Sequence, residues 1–221
     1  MQKRGRIAVL DTETTGLPNK NSGARIIEVA AVLIDASGRR LDTFESLCNP
    51  GLQYILDPDS GQAFTIHGIR TEWLTDAPPS WAIGAALRTW LINHQVQVVT
   101  SYHTEFDFHP LLLCAPEWLA PVMPPIQLGP CCYQWADTFM GRSNRSSRLT
   151  LCEAAKAFNV SWEGTSHSAL ADALVAAEIL RKLILGRSPG NVFFEQLADQ
   201  LDGGPALTPT WEEMTRAEVA I

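Results

Sequence analysis

Two acidic residues stand at the end of an apolar run near the start of the chain. Residues 7–10 have the continuous hydrophobic character of a strand covered on both faces, and Asp11 and Glu13 follow directly. Residues two apart on a strand point to the same face, so these carboxylates lie side by side while Thr12 faces away. Like charges at that spacing repel unless a cation lies between them. The pattern favours a site for a hard divalent ion, Mg²⁺ or Mn²⁺. The alternative is an edge strand on which both carboxylates are solvated.

Two later stretches carry further candidates for the same site. Asp107 falls in the first turn after a fourth apolar strand, where Glu105 and Asp107 alone would be explained as acids that complement a helix N-terminus. His167 and Asp172 are five residues apart, which turns a helix by about 140°. They converge only if His167 lies at or before the helix start. A capping histidine and a polar-face acid are the alternatives, although Asp172 has alanine and leucine neighbours.

In this order, the three stretches carry the signature of the DEDDh 3′-to-5′ exonucleases, the DnaQ-like family. The chain resembles that family over residues 6–185, and within it is similar to the proofreading epsilon subunit of bacterial DNA polymerase III. Shorter matches lie at residues 14–17, 26–29, 66–69, 136–138 and 149–152. The resemblance implies a ribonuclease-H-like α/β fold, a mixed five-stranded sheet flanked by helices. It also implies two divalent metal ions, Mg²⁺ or Mn²⁺, held by Asp11, Glu13, Asp107 and Asp172, with His167 as general base.

Single-stranded nucleic acids need apolar or aromatic platforms for their bases. Leu17, Phe64, His67 and Phe106 are the candidates, with the core as the alternative for the two phenylalanines. His103 stands where the family usually has asparagine, and it is expected either to replace that amide as a donor or to be a second titrating group near the site. The tryptophans are expected to be packing residues. The predicted substrate-binding set is Thr12, Thr14, Gly16, Leu17, His67, His103 and Phe106.

The overall charge narrows the possible functions. A net charge of −7 argues against a broad grip on duplex DNA, but an acidic site binds phosphate through the ions it holds. The leading prediction is a metal-dependent exonuclease that releases nucleoside monophosphates from the 3′ ends of single-stranded or frayed DNA, in proofreading or repair. An exoribonuclease that trims RNA 3′ ends, or a non-catalytic interaction module of a polymerase complex, are the alternatives.

The cysteines and the N-terminus bear on the compartment. The five cysteines form no CxxC pair, and Cys131 and Cys132, on a predicted strand, would point to opposite faces. Reduced thiols in a cytoplasmic protein are therefore expected. The basic N-terminus and its apolar run are too short for a signal peptide or a membrane span, so no membrane association is predicted.

The elements that must position these residues follow from hydrophobic periodicity. Strands are predicted at 7–13, 26–34 and 41–48 as an antiparallel meander, then at 96–102 and 131–135. Residues 49–79 are expected to be irregular and 116–130 a loop, with helices at 80–94, 105–113, 149–158 and 168–185. The catalytic domain is predicted to span 1–186. Residues 187–221 are predicted to form a helical extension for a polymerase or repair complex, with helices at 192–201 and 211–219.

Overall fold

A mixed five-stranded sheet forms the centre of the computed structural model, which describes residues 5–17, 23–55, 60–114, 126–129, 131–142, 148–164 and 167–186. Its strands are β1 (Arg6–Thr14), β2 (Ile26–Asp35), β3 (Arg40–Leu47), β4 (Val98–Ser101) and β5 (Gln127–Leu128). The spatial order is β3-β2-β1-β4-β5. β1, β2 and β3 are antiparallel neighbours, whereas β4 and β5 run parallel to β1.

Helices cover both faces of the sheet. They are α1 (Leu52–Ile55), α2 (Ser60–His67), α3 (Thr71–Thr75), α4 (Ser80–Asn93), α5 (Thr104–Cys114), α6 (Cys132–Phe139), α7 (Leu151–Ala157) and α8 (Ala169–Leu185). α6, α7 and α8 pack against Ile7 and Val9 of β1. α4 and α5 pack against Ala8 and Leu10 of the same strand. The alternation along β1 thus separates two hydrophobic cores, one on each side of the sheet.

The last helix lies close to the sheet because its inward positions are small. Ala169, Ala173, Ala176 and Ala177 are buried against β1 and β2. The sequence prediction of this helix, of the three-stranded meander and of the sheet flanked by helices is confirmed. No helix within the described parts of the chain is long and apolar enough to cross a membrane.

Two sequence predictions of local structure were wrong. The strand expected at 131–135 is the start of α6, because Cys132, Trp135 and Ala136 repeat at helical spacing and bury one face in the α8 core. The fifth strand is instead the two-residue β5, which lies within the stretch 116–130 that was expected to be a loop; residues 116–125 and 130 lie outside the described residues. The stretch expected to be irregular contains the short helices α1, α2 and α3, which place Ile55 and Leu74 in a third cluster with Ile27. The helices expected after residue 186 lie outside the described residues.

Candidate active site

The two acids of β1 lie where the neighbouring strand has already ended. β4 pairs with β1 only as far as Leu10, opposite Ser101, so residues 11–14 extend past it. Ile7 and Val9 face α8. Asp11 and Glu13 continue the same series of every second residue, so their side chains lie on the same face of the sheet. Both carboxylates therefore point toward the start of α8.

Asp107 occupies the edge of β1 that β4 leaves open. Its Oδ1 accepts hydrogen bonds from the backbone N–H and from Oγ1 of Thr12, each at 3.0 Å. Thr12 faces away from Asp11 and Glu13, as the strand period predicts, and this orientation is what brings its hydroxyl to the α5 side. Asp107 is 5% exposed, and it fixes the start of α5 to the end of β1.

The start of α8 brings the third part of the site to the same place. Ligand atoms of Glu13, His167 and Asp172 all lie within 4.8 Å of one another. His167 precedes the helix, whose N-cap is Ser168, and has a left-handed φ of 63°, so it meets the condition for converging with Asp172. The indole N–H of Trp162 donates to Asp172 Oδ1 at 3.0 Å, which holds the carboxylate in place.

Burial raises the pKa values of the four carboxylic acids, and mutual repulsion adds to the shift at Asp11, Glu13 and Asp107. Burial, followed by the charges of neighbouring acids, raises the pKa of Asp11 well above its ordinary value. Burial raises the pKa of Glu13 to about 8, with Asp172 as the largest charge acting on it. Burial also raises the pKa of Asp107 to about 7, although the bonds from Thr12 oppose the shift. The pKa of Asp172 is raised by burial against the Trp162 hydrogen bond.

These residues fit a divalent cation. Four carboxylates that converge at one strand end supply only hard oxygen donors, the ligands that Mg²⁺ and Mn²⁺ prefer. Their raised pKa values mean that burial, together with mutual repulsion, disfavours the ionised form of these acids when no cation is bound. A bound cation would reverse those shifts. His167 is exposed beside the carboxylates and is open to a water molecule.

A fifth buried acid belongs to the site and was missed as a functional residue in the sequence. Glu28 lies directly opposite Glu13 in the β1–β2 ladder, and its Oε2 accepts the backbone N–H of Ala169 at 2.8 Å. Ser168, the N-cap of α8, makes no side-chain cap bond, so Glu28 caps the helix from the neighbouring strand. The signal was a lone acid in an otherwise apolar strand, but its partner is 141 residues away.

One flank of the site is formed by the loop after β1 and by α2. Leu17 is 74% exposed, whereas Thr14 Oγ1 donates to the carbonyl of Gly16 at 2.6 Å and so stabilises the loop. His67 packs edge-on against Phe64 and accepts the Ile69 N–H on Nδ1. Burial, together with the charge of His167, lowers the pKa of His67 to about 4. His67 is therefore a neutral imidazole on the His167 side of the site.

The opposite flank is formed by α5, α6 and the segment before α7. His103 stacks on Tyr133 with ring centroids 5.1 Å apart, and Phe106, 43% exposed, lies against its edge. The guanidinium of Arg148 contacts His103 Nε2 and lies over the Tyr133 ring. Arginine has no acceptor, so Nε2 accepts here. The expected donor role of His103 therefore does not apply to this nitrogen.

Comparison with known proteins identifies the family of this chain. A sequence profile of the RNase_T family, described as an exonuclease family, matches residues 8–180. The chain belongs to this exonuclease family. Its similarity to the DEDDh exonucleases is thereby confirmed, and the ribonuclease-H-like architecture agrees with the sheet described above. The similarity to the epsilon subunit stays a prediction.

A plant exonuclease is a relative of this RNase_T exonuclease domain. The chain is 26% identical over 200 residues to the chloroplastic/mitochondrial exonuclease DPD1 of Arabidopsis thaliana; this covers 81% of the chain and 56% of the relative. The chain thus spans little more than half the length of that curated relative.

Solved structures share the fold of the exonuclease domain at low sequence identity. The nuclease domain of 3′hExo, a DEDDh family member bound to rAMP, has a TM-score of 0.66 at 16% identity and covers 84% of this chain and 94% of its own. S. pombe Pop2p, in a form with Mg²⁺ and Mn²⁺ bound, has a TM-score of 0.62 at 18% identity, covering 88% and 87%. E. coli exonuclease I with a dA16 oligonucleotide has a TM-score of 0.66 at 17% identity, covering 88% and 43%.

Proposed function

We propose that the protein is a metal-dependent 3′-to-5′ exonuclease that hydrolyses phosphodiester bonds at the 3′ ends of single-stranded or frayed DNA. The products are nucleoside monophosphates, and the biological role is proofreading or repair. The observation that carries this proposal is the convergence of Glu13, His167 and Asp172 within 4.8 Å, beside Asp11 and Asp107. Membership in an exonuclease family supports the reaction class.

In this proposal Asp11, Glu13, Asp107 and Asp172 hold two divalent ions, Mg²⁺ or Mn²⁺. The ions would neutralise the scissile phosphate and make water a stronger acid. His167 takes the proton from the attacking water, because its imidazole is exposed beside Glu13 and Asp172. Its position before α8 leaves the ring free to turn toward substrate.

The two flanks receive the terminal nucleotides. Leu17, in the loop after β1, and Phe106, next to Asp107 in α5, are exposed apolar side chains that an unstacked base would contact. His67, kept neutral by burial, offers a hydrogen bond rather than a charge. A Cβ at Gly16 would meet no atom of the described residues within 4 Å, so none of these residues would crowd a nucleotide at this position.

DNA is the favoured polymer and RNA the second candidate. E. coli exonuclease I was solved with a dA16 oligonucleotide, which supports DNA. 3′hExo was solved with rAMP, and a related structure describes 3′-end recognition of a histone mRNA stem-loop, which supports RNA 3′-end trimming. We keep single-stranded or frayed DNA as the proposed substrate and proofreading or repair as the proposed role. The experiment below decides between DNA and RNA.

The domain organisation is proposed on the same basis. The catalytic domain occupies residues 1–186, and residues 187–221 form an extension that binds a polymerase or repair complex. The family profile ends at residue 180, which supports a boundary near that point. Cys48, Cys131, Cys132 and Cys152 are free thiols, which fits a reducing compartment such as the cytoplasm.

The deciding experiment offers 3′-labelled and 5′-labelled single-stranded DNA, RNA, and duplex DNA with a mismatched 3′ end to the full chain. Each substrate is incubated with Mg²⁺, with Mn²⁺ and with a chelator. We expect stepwise shortening from the 3′ end, release of monophosphates, and loss of activity in chelator. Activity that survives chelation, or internal cleavage, would contradict the proposal. The ratio of rates on DNA and RNA assigns the polymer.

A further inference from the structure

A cavity of about 410 Å³ lies outside the proposed catalytic centre, at the start of α4. Trp81, on its wall, is 61% exposed, although the sequence suggested that tryptophans would be packing residues. The prolines at 50 and 79 form apolar parts of the wall, and Asn49 and Ser80 add polar groups. None of the described residues that line this cavity is acidic, in a chain of net charge −7.

Arg25 supplies a cation whose position is held by neighbouring groups. Its guanidinium lies 4.7 Å from the centre of the Tyr54 ring, and Nη2 donates to the Tyr54 hydroxyl at 3.1 Å. Nη1 donates to the carbonyl oxygens of Gly23 and Ala24 at 3.1 and 3.3 Å. These bonds use three of the five guanidinium N–H donors. The cation beside Trp81 is therefore already oriented before any ligand arrives.

The cavity lies on the same end of the sheet as the catalytic carboxylates. Glu13 pairs with Glu28 and Glu28 with Leu47, so the end of β3 is two strand spacings, about 10 Å, from Glu13. Asn49 follows that end after Cys48. Arg25 is bonded through its backbone to Thr15, which precedes the exposed Leu17. Arg25 thus connects the cavity wall to the segment that carries Leu17.

We propose that this cavity binds the single-stranded substrate upstream of the cleaved bond. One base stacks on Trp81, and a backbone phosphate lies on Arg25. The roughly 10 Å between Glu13 and the end of β3 is the length of about three stacked nucleotides at about 3.4 Å each, so a strand with its 3′ end at the carboxylates needs more than three nucleotides to reach Trp81 beyond that end. The combination of an exposed aromatic ring and a fixed cation is what sequence-tolerant single-strand binding requires. This inference rests on the proposed function, since it assumes a 3′ end at the carboxylates.

The test measures binding separately from hydrolysis. Fluorescence anisotropy of labelled oligothymidylates of 3 and 12 nucleotides is followed in Mg²⁺ with the full chain carrying His167→Ala, which is expected to cleave slowly while its single-strand binding changes little. For the binding measurements, the further substitutions are made in this background. Trp81→Ala should weaken binding of the 12-mer by roughly 5- to 150-fold and leave the 3-mer unchanged. Trp81→Phe should restore most of the loss. Trp73→Ala is the matched control, because Trp73 is 50% exposed but is absent from the described cavity wall.

The cation is tested through the salt dependence of binding. Arg25→Gln should make the slope of log affinity against log salt for the 12-mer shallower by about 0.7, the value for one phosphate on a single strand. Arg25→Lys, which keeps the charge, should retain the slope. An unchanged slope in Arg25→Gln would remove the phosphate contact from the proposal.

Three results would overturn the site as a whole. They are unchanged 12-mer binding in folded Trp81→Ala, an equal loss in Trp73→Ala, or capture of a proline-rich peptide through Trp81 that the 12-mer does not displace. Parallel hydrolysis assays keep the two proposals apart. Length-dependent binding through Trp81 without hydrolysis would refute the nuclease activity alone, and hydrolysis with normal Trp81→Ala binding would refute the upstream site alone.

Discussion

Replacing Glu28 tests whether a hydrogen bond across the sheet positions the proposed catalytic residues. The Ala169 N–H that Glu28 accepts belongs to a fully buried residue, so Glu28→Ala leaves that donor unpaired at a cost of about 1 to 3 kcal/mol. For a chain of this size that corresponds to a lower melting temperature by roughly 2 to 12 °C. Burial also raises the pKa of Glu28, so its charge is itself unfavourable here. Glu28→Gln keeps an oxygen acceptor and removes that charge.

Glu28→Ala and Glu28→Gln should therefore differ in kcat and in melting temperature. Movement of the α8 start by about 1 Å displaces His167 and Asp172, and we expect kcat in Glu28→Ala to fall by up to roughly 100-fold. Glu28→Gln should keep a near-wild-type kcat and melting temperature. Glu45→Ala is the control, because Glu45 is an exposed acid whose charge acts on Glu28. Normal kcat in Glu28→Ala, or equal damage in Glu28→Gln, would refute the positioning argument.

Three further predictions address the site. His167→Ala should lower kcat by roughly 10²- to 10⁴-fold. Single-strand binding, measured by anisotropy, should change little. Near-wild-type turnover of the folded variant would exclude a general-base role. Between pH 4.5 and about 8 the folded state holds a proton on Glu13 that the unfolded chain releases, so metal-free stability should fall as pH rises. Thermal melts should show a weaker fall in Glu13→Gln and a Mg²⁺ stabilisation that grows with pH; identical curves for the two proteins would contradict this. His103→Asn should keep more activity than His103→Leu, because only the former offers Arg148 an acceptor; equal kcat/KM values would make His103 dispensable.

Local sequence pattern was sufficient for the elements that carry the acids. The continuous apolar run before Asp11 predicts a strand, and the alanine-rich stretch around Asp172 predicts a helix. Both elements form as predicted. The left-handed φ of His167 could not be derived from composition, but the five-residue spacing required a break before the helix, and the helix does start after it.

Non-local contacts explain what the sequence missed. Cys132 begins a helix rather than a strand, because burial of Trp135 against α8 outweighs the strand preference of the segment. A lone acid in an apolar strand is the one local sign of the cap that Glu28 provides for α8, and it does not identify the partner, which is in a distant helix. The contact of Thr12 with Asp107 depends on where β4 stops, a matter of three-dimensional register.

The early end of β4 also gives the molecule a reporter for spectroscopy. The amide proton of Thr12 is bonded to a carboxylate that is itself a proposed metal ligand, whereas strand amides ordinarily bond to carbonyl oxygens. A cation that draws on the same Oδ1 weakens that bond. The proton chemical shift and the hydrogen-exchange rate of this single amide should therefore follow a Mg²⁺ titration directly, without a substrate and without turnover. Occupancy of the site then becomes measurable in an inactive variant such as His167→Ala.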